Sequence, residues 1–146
     1  MAELINNVKI STALDYASGT ATRNGVILDM QDYDGVLMIV KFASIASGAT
    51  TSIKAQQGAA SDMSDAADLS GTSISVADDD DNQIFVIDLY KPRERYVRLV
   101  VAKDSSNATA ESAIYIQYSG RKMPIDNNVT NAVTYELYVA PLEGTA

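Results

Sequence analysis

The chain has 146 residues, of which 47% are hydrophobic, and it carries a net charge of −8 with no cysteine, histidine or tryptophan. These values are typical of one globular domain, and they exclude disulfides, thiolate nucleophiles and catalytic triads of the Ser-His-Asp type. We therefore expect no enzyme, no metal and no cofactor, and the acidic charge argues against nucleic acid as a partner.

Short apolar or alternating runs, separated by polar turns, predict strands along most of the chain. Residues 36–45 are apolar on both faces, which is typical of a central strand or one covered by a second layer. Asn24–Gly25 is a hairpin signal, and a short helical turn is expected at 61–69. Seven or eight short strands without a long helix predict an all-β fold, a single β-sandwich or jelly roll. The clearest candidate strands are 26–30, 36–45, 51–57, 83–90, 95–103, 112–120 and a possible final strand at 134–140.

The two ends of the chain are less strand-like than its middle. We expect an N-terminal arm at 1–12, the sandwich domain at 13–122 and a C-terminal arm at 123–146. Four residues of the second arm are too apolar for a tail that packs on nothing, and they are candidate interface residues: Tyr135, Leu137, Tyr138 and Val139. No apolar run approaches the roughly 20 residues of a membrane helix, and the first residues lack a signal-peptide pattern, so we expect neither membrane insertion nor export.

The strands at 83–90 and 95–103 are predicted to form a hairpin around the segment KPRER. Asp88 and Arg98 would then share the outer face as a structural ion pair, contributing about 0.2–1 kcal/mol. Arg93 and Arg95 lie near the tip of this connection and are candidate partner contacts.

Charge is distributed unevenly along the chain. Residues 55–90 contain eight acidic and no basic side chains, whereas 91–103 contain five basic and one acidic. Such a distribution suits charge-matched protein contacts, although two solvated loops would give the same pattern. The run Asp78–Asp81 fails as a calcium loop, because Gln83 and Leu89 stand where that loop needs glycine and glutamate. A turn is favoured, with weak cation binding or contact with a basic partner as alternatives.

Three stretches resemble a family of small proteins encoded in the head-gene region of tailed bacteriophages, the capsid cement or decoration proteins of jelly-roll type. The stretches are ALDYASGTATRNGVILDMQDYDGVLMIVKFASI, QQGAASDMSDAADLSGTS and DLYKPRERYVRLVV, and the resemblance covers roughly residues 8–120 and the EGTA ending. It implies assembly in the host cytoplasm and binding to the outside of an expanded icosahedral shell. The implied partners are the major capsid protein and further copies of this chain, as dimers or trimers.

Two other classes of function stay open at this point. The stretch ERYVRLVV is similar to discoidin-like galactose-binding domains, which would make the chain a carbohydrate- or receptor-binding module of a phage tail or fibre. The absence of tryptophan argues against sugar stacking. A small hydrolase that uses carboxylates alone is the third class, but no pair of acids stands out from the solvated ones.

Overall fold

The computed structural model describes residues 3–127 and 133–145. In these ranges a 3-10 turn at Leu4–Asn6 precedes ten strands, so the predicted all-β sandwich is confirmed but the predicted count of seven or eight is too low. Three of the additional strands are two or three residues long, too short to show a periodicity, but the prediction also missed the eleven-residue strand Lys9–Gly19. The strands are β1 Lys9–Gly19, β2 Arg23–Asn24, β3 Leu28–Asp29, β4 Tyr33–Ile45, β5 Thr51–Gly58, β6 Ala67–Asp68, β7 Ile74–Val76, β8 Ile84–Tyr90, β9 Tyr96–Lys103 and β10 Thr109–Gly120.

The strands form two antiparallel sheets that pack face to face. The four-stranded sheet has the order β1-β10-β4-β8. In the six-stranded sheet β9 and β5 are central, with β2 and β3 paired to β9 and with β6 and β7 paired to β5. The central strands are therefore long and the margins of the second sheet are short.

The core lies between the two sheets and follows from strand alternation. In β4 every second side chain, from Val36 to Phe42, points inward and is fully buried. β5 and β9 supply the opposing side chains, including Ile53 and Leu99. This inner layer explains one apolar face of the segment 36–45, and the other face must be explained separately.

Tyr115 of β10 connects the two sheets through its hydroxyl group. The side chain is fully buried, and its hydroxyl donates to the Val26 carbonyl and accepts from the Leu99 amide, both at 2.9 Å. Burial raises the pKa of this phenol to about 12. A Cβ atom at Gly25 would approach the Tyr115 hydroxyl oxygen to 2.6 Å, so glycine is required beside it. β2 and β3 both pair with β9 and not with each other, and Gly25 lies in the short segment that joins them. The hairpin predicted at Asn24–Gly25 is therefore wrong.

A buried cluster of charges joins the sheets near the end of β9. Glu111 of β10 and Lys103 of β9 are both fully buried at the side chain, with 2.8 Å between Lys103 Nζ and Glu111 Oε1. Arg23 Nη1 lies 3.0 Å from the same oxygen, and the Thr109 hydroxyl donates to Glu111 Oε2 at 2.7 Å. Lys103 Nζ also donates to the carbonyls of Gly19 and Thr109, each at 3.1 Å. Every charge in the cluster therefore has several partners, as burial demands.

The boundaries of both predicted arms change in the structure. β1 begins at Lys9, so residues 9–12 belong to the sheet. At the other end Asn127 is fully buried, accepts from the Ile10 amide at 2.8 Å and donates to the Val8 carbonyl at 2.9 Å. Residues 133–145 form no strand, so the expected strand at 134–140 does not form in this chain. The expected helical turn at 61–69 is also absent, since its aspartates cap backbone turns instead.

The predicted hairpin of 83–90 and 95–103 is wrong. β8 pairs with β4 and β9 pairs with β5, in different sheets. Asp88 accepts a hydrogen bond from the Tyr118 hydroxyl, and Arg98 Nε donates to Gln56 Oε1 at 2.8 Å, so the predicted pair of Asp88 and Arg98 does not form. The connection between the strands crosses from one sheet to the other, which local periodicity cannot distinguish from a hairpin.

Replacing Glu111 with glutamine should destabilise the fold severely. The Glu111→Gln variant keeps the volume but leaves the fully buried Lys103 ammonium without its counter-charge, and we expect a loss of about 3–5 kcal/mol in the free energy of unfolding. Urea denaturation measures it. The control is Asp68→Asn, which breaks an exposed ion pair with Lys54 and should change stability far less. Equal losses in the two variants would contradict the structural role of Glu111.

Candidate interaction surface

The outer face of the four-stranded sheet is apolar although no layer of the described chain covers it. Cross-strand pairing aligns Ile114, Ile39 and Val86 in one row, and Ile10, Ile116 and Leu37 in the next. Ile84 beyond them is 61% exposed and Val86 is 43% exposed. We call these seven side chains the apolar face. They account for the second apolar side of the segment 36–45, which the sequence showed without revealing what it contacts.

One margin of the apolar face forms a groove of about 540 Å3. Leu4 and Met123 rise beside the sheet and form one wall, and both side chains are half exposed or more. Leu37 and Ile116 contribute the floor. A groove with this lining binds apolar side chains rather than ions or polar metabolites.

Tyr118 lines the groove beside Asp88, and Tyr90 stacks on Tyr118. The rings of Tyr90 and Tyr118 are nearly parallel, with 6.5 Å between their centroids, and Tyr90 is 59% exposed. Burial raises the pKa of Tyr118 to about 12, and the hydrogen bond to the Asp88 carboxylate acts in the same direction. The Tyr118 hydroxyl therefore stays neutral at physiological pH.

Basic residues collect at the end of the sandwich where β8 ends and β9 begins. Lys91, Arg93, Arg95 and Arg121 line a cavity of about 400 Å3 together with Asp34. Arg121 lies 3.6 Å from Asp34. This end contains both of the arginines that the sequence proposed as contacts. Lys91 comes from the same connection, and Arg121 follows the end of β10.

Arg95 forms an ion pair with Asp29, whereas Arg93 forms none with the residues that the structure describes. The Arg95 guanidinium donates to both carboxylate oxygens of Asp29, at 2.8 and 3.0 Å. These hydrogen bonds hold the pKa of Asp29 below its usual range. The Arg93 amide donates to Gln57 Oε1 at 3.1 Å, which fixes the backbone and leaves the side chain exposed. Arg93 is accordingly the better candidate of the two for contact with a partner.

Acidic residues collect at the opposite end of the same strands. Within Asp78–Asp81, three carboxylates accept backbone hydrogen bonds: Asp78 from Gly48, Asp80 from Ala77 and Asp81 from Ile45, at 2.6 to 2.8 Å. The segment is a turn, as predicted from its composition. Nearby, the Asp104 carboxylate accepts four hydrogen bonds from backbone and side-chain amides, and these bonds lower the pKa of Asp104 strongly.

The charged residues therefore lie at the two ends of the strands. β8, Ile84–Tyr90, lies between the Asp78–Asp81 turn and Lys91, and β9, Tyr96–Lys103, lies between Arg95 and Asp104. A strand of seven residues spans roughly 23 Å, so the two charged ends are separated by more than a Debye length at physiological salt. Asp29, Asp34 and Glu94 offset part of the basic charge at the Arg93 end, so the contrast between the two ends comes mainly from the acidic turn. Such a contrast helps a partner to select one orientation.

The C-terminal segment presents its apolar side chains to solvent. Leu137 is 47% exposed, Tyr138 71% and Val139 93%, while Tyr135 is half-buried. That these residues contact a partner stays a prediction. The sequence did not predict the apolar face, whose side chains come from four strands distant in sequence. The two surfaces together are the candidate site.

Chemical sites are not evident in the described part of the chain. Among residues 3–127 and 133–145, no three side chains of the types that ligate metals are grouped closely enough to hold an ion. None of the helices in these ranges is long and apolar enough to cross a bilayer.

The geometry defines a two-sheet antiparallel β-sandwich with an exposed apolar sheet face. No family model and no curated protein sequence matches the chain. Among solved structures it is similar in fold to the PBSX exported protein XepA, with a TM-score of 0.52 and 12% identity, over 94% of this chain and 46% of that one. The chain thus spans less than half of XepA.

Two further structures match less well. One is the SPBc2 prophage-derived protein YomS, with a TM-score of 0.42, 14% identity and coverage of 75% of this chain and 93% of that one. The other is from the Gx strain of infectious bursal disease virus, with a TM-score of 0.45, 12% identity and coverage of 80% and 33%. At these identities only the likeness to XepA bears on the fold, and it bears on the fold alone.

The Asp29 carboxyl group should titrate below the usual range because of Arg95. Its contribution to stability is then present above the unfolded value of about 3.9 and is lost as the pH falls through the lowered folded value. Carboxyl carbon NMR shifts measure the titration. Arg95→Gln should return it towards the usual value, whereas the neighbouring change Arg93→Gln should leave it unaltered. An unchanged Asp29 titration in Arg95→Gln would contradict the assignment.

Proposed function

We propose that this protein is a structural component of a phage particle that binds the outside of the expanded capsid and bridges neighbouring major capsid proteins. The proposal assigns it no catalytic activity and no cofactor, and it places the protein on the virion surface. The observation that carries it is the apolar face, in which seven large apolar side chains form one contiguous patch on the outer side of the sheet, three of them exposed and four half-buried. Contiguous apolar patches on a protein surface often mark sites of contact with another protein.

The size of the apolar face indicates that it does not bind alone. Three inter-strand spacings give a width of roughly 14 Å, and the apolar rows extend roughly 20 Å along the strands, or about 300 Å2 in plan. A stable protein interface buries about 800 Å2 on each partner. The apolar face therefore needs additional contacting surface, and the exposed C-terminal segment and the groove beside Leu4 and Met123 supply it.

The charged ends would set the orientation of the protein on the shell. The basic end at Arg93 and the acidic end at Asp78–Asp81 lie at opposite limits of the strands. Charge complementarity selects orientation and speeds association more than it adds affinity. Each copy would then meet the capsid lattice in one register.

Stabilisation of a shell by such a protein follows from mass action. A protein that binds the assembled, expanded shell and not its separate subunits stabilises the shell by about 2.7 kcal/mol per site at a concentration one hundred times its dissociation constant. Many weak sites suffice for this effect, so neither an active site nor a deep pocket is needed. The resemblance of the sequence to capsid decoration proteins supports the same role.

A second candidate is binding of a carbohydrate or receptor by a tail or fibre module. The feature that favours it is the exposed ring of Tyr90 stacked on Tyr118 at the limit of the groove. One exposed aromatic ring is a small platform for a sugar, and the surrounding apolar side chains suit a protein better. The copy number of the protein in the particle separates the two functions.

Quantitative mass spectrometry of purified virions should give a copy number close to that of the major capsid protein or a simple fraction of it. This expectation follows because a bridging protein occupies repeated sites of the shell lattice. A handful of copies per particle would favour the tail or fibre module. Absence of the protein from the particle would overturn both functions.

Substitution of Ile114 by lysine should weaken binding to expanded capsids by about 30-fold, the effect of losing a contact worth about 2 kcal/mol. Ile114 lies in the middle of the apolar face and is 40% exposed, so the sandwich should tolerate lysine there. Co-sedimentation with capsids measures the affinity, and thermal unfolding checks the fold. Ser112→Lys is the matched control on the same strand and face, next to Lys41 at the polar margin. Equal binding by both variants would contradict the role of the apolar face.

A further inference from the structure

Strand β8 has an edge with unpaired backbone groups. It stands at the end of its sheet and pairs with β4 on one side. Phe42 N donates to Gln83 O and Lys91 N donates to Asp34 O, which fixes the alternation of the ladder. The odd-numbered residues of β8 therefore direct their amides and carbonyls to β4, and four residues direct theirs to the open edge: Ile84, Val86, Asp88 and Tyr90.

The other sheet margins carry features that discourage further pairing, and β8 does not. β1, at the opposite edge of the same sheet, contains two register shifts. The margins of the second sheet are strands of two or three residues. Both devices are common protections of edge strands. β8 pairs over seven residues in unbroken register and carries one charged residue, Asp88.

The sandwich is also open beside β8. On the opposite side the sheets are linked, since the Val26 amide donates to the Ala13 carbonyl at 2.9 Å. Beside β8 a cavity of about 240 Å3 lies between Leu89 of one sheet margin and Leu69 of the other. Phe85 and Leu89, which point inward from β8, are only partly buried. Apolar side chains from an additional strand would complete this part of the core.

The C-terminal segment has the length and pattern of that additional strand. Residues 134–140 match β8 in length and are rich in residues that favour strands. They alternate between apolar side chains at Tyr135, Leu137 and Val139 and a set containing Thr134 and Glu136. The first set would face the cavity and the second would face solvent.

A second copy supplies the segment more readily than the same copy. Asn127 is anchored to the Ile10 amide and the Val8 carbonyl, at the β1 edge of the sheet. The β8 edge of the same copy is three inter-strand spacings away, roughly 14 Å across the apolar face. The described residues 134–140 pair with no strand of their own copy, and β8 pairs with β4 alone, so we take a second copy as the donor, in a head-to-tail contact between copies.

We propose that residues 134–140 of one copy add as an edge strand to β8 of a second copy, with Tyr135, Leu137 and Val139 packed between the two sheets. Backbone hydrogen bonds to the open edge supply affinity, and the alternating side chains supply specificity. This contact forms between copies of the chain without a capsid, so its test is independent of the proposed function.

The first test is the association of the full-length protein in solution. Sedimentation equilibrium over a concentration series should show self-association, and hydrogen exchange should show concentration-dependent protection of the amides of Ile84, Val86, Asp88 and Tyr90. Leu137→Asp places a carboxylate among apolar side chains and should weaken association by about 100-fold. Tyr138→Asp makes the same change on the solvent-facing side and should weaken it by less than about tenfold.

The second test acts on the acceptor edge. Val86→Pro removes an amide that points away from β4, so it should abolish association while the ladder to β4 persists. Val86→Ala retains the amide and should still associate. Thermal unfolding checks each variant, and Leu137→Asp lies outside the sandwich, so the proposal stays testable if Val86→Pro does not fold.

Four results would overturn the proposal. The protein could remain monomeric throughout the concentration series. The β8 amides could be protected in a monomer, which would place the segment on its own chain. Association could survive both Leu137→Asp and Val86→Pro, which would place the contact elsewhere. Finally, Tyr138→Asp could be more damaging than Leu137→Asp, which would reverse the assigned faces.

Discussion

The buried ion cluster around Glu111 is the constraint on which the rest of the sandwich depends. Its carboxylate on β10 meets Lys103 of β9 and Arg23 of β2, so one fully buried acid holds together strands of both sheets. Such a cluster is costly to desolvate and contributes little net stability over an apolar equivalent, but it is intolerant of altered partners. It therefore fixes which strands face one another, and Tyr115, with its two hydrogen bonds across the sheets, fixes their separation.

This constraint acts on one side of the molecule and leaves the other side open. Arg23, Gly25 and the Ala13–Val26 hydrogen bond close the sandwich along β1, β2 and β3. Along β8 a cavity lies between the two sheets. The open backbone edge of β8 and its exposed apolar side chains, Ile84 and Val86, are on the same side of the molecule. A molecule that is closed along β1, β2 and β3 and open along β8 is suited to assembly. The closed side holds the contacting groups in position before a partner binds.

Sequence periodicity reveals a long strand and its two faces, and it cannot reveal the partner of a strand. The runs at 36–45, 83–90, 95–103 and 112–120 each lie within or largely overlap an observed strand. The hairpin of Asp88 and Arg98 failed because five residues connect strands of different sheets as readily as strands of one. The apolar face could not be predicted from the sequence for the same reason. Its rows contain residues from β1, β10, β4 and β8, which only strand pairing brings together.

The apolar side chains on both faces of β4 are the clearest link between the sequence and the proposed assembly. The inner side chains of β4, from Val36 to Phe42, belong to the core, whereas Leu37 and Ile39 lie half-buried on the outer face of the sheet. A strand apolar on both faces ordinarily lies between two layers. Among residues 3–127 and 133–145 no second layer covers this face, and Leu137, Tyr138 and Val139 are exposed. These two features are what the proposed edge-strand contact between copies and the proposed contact with a capsid would both use.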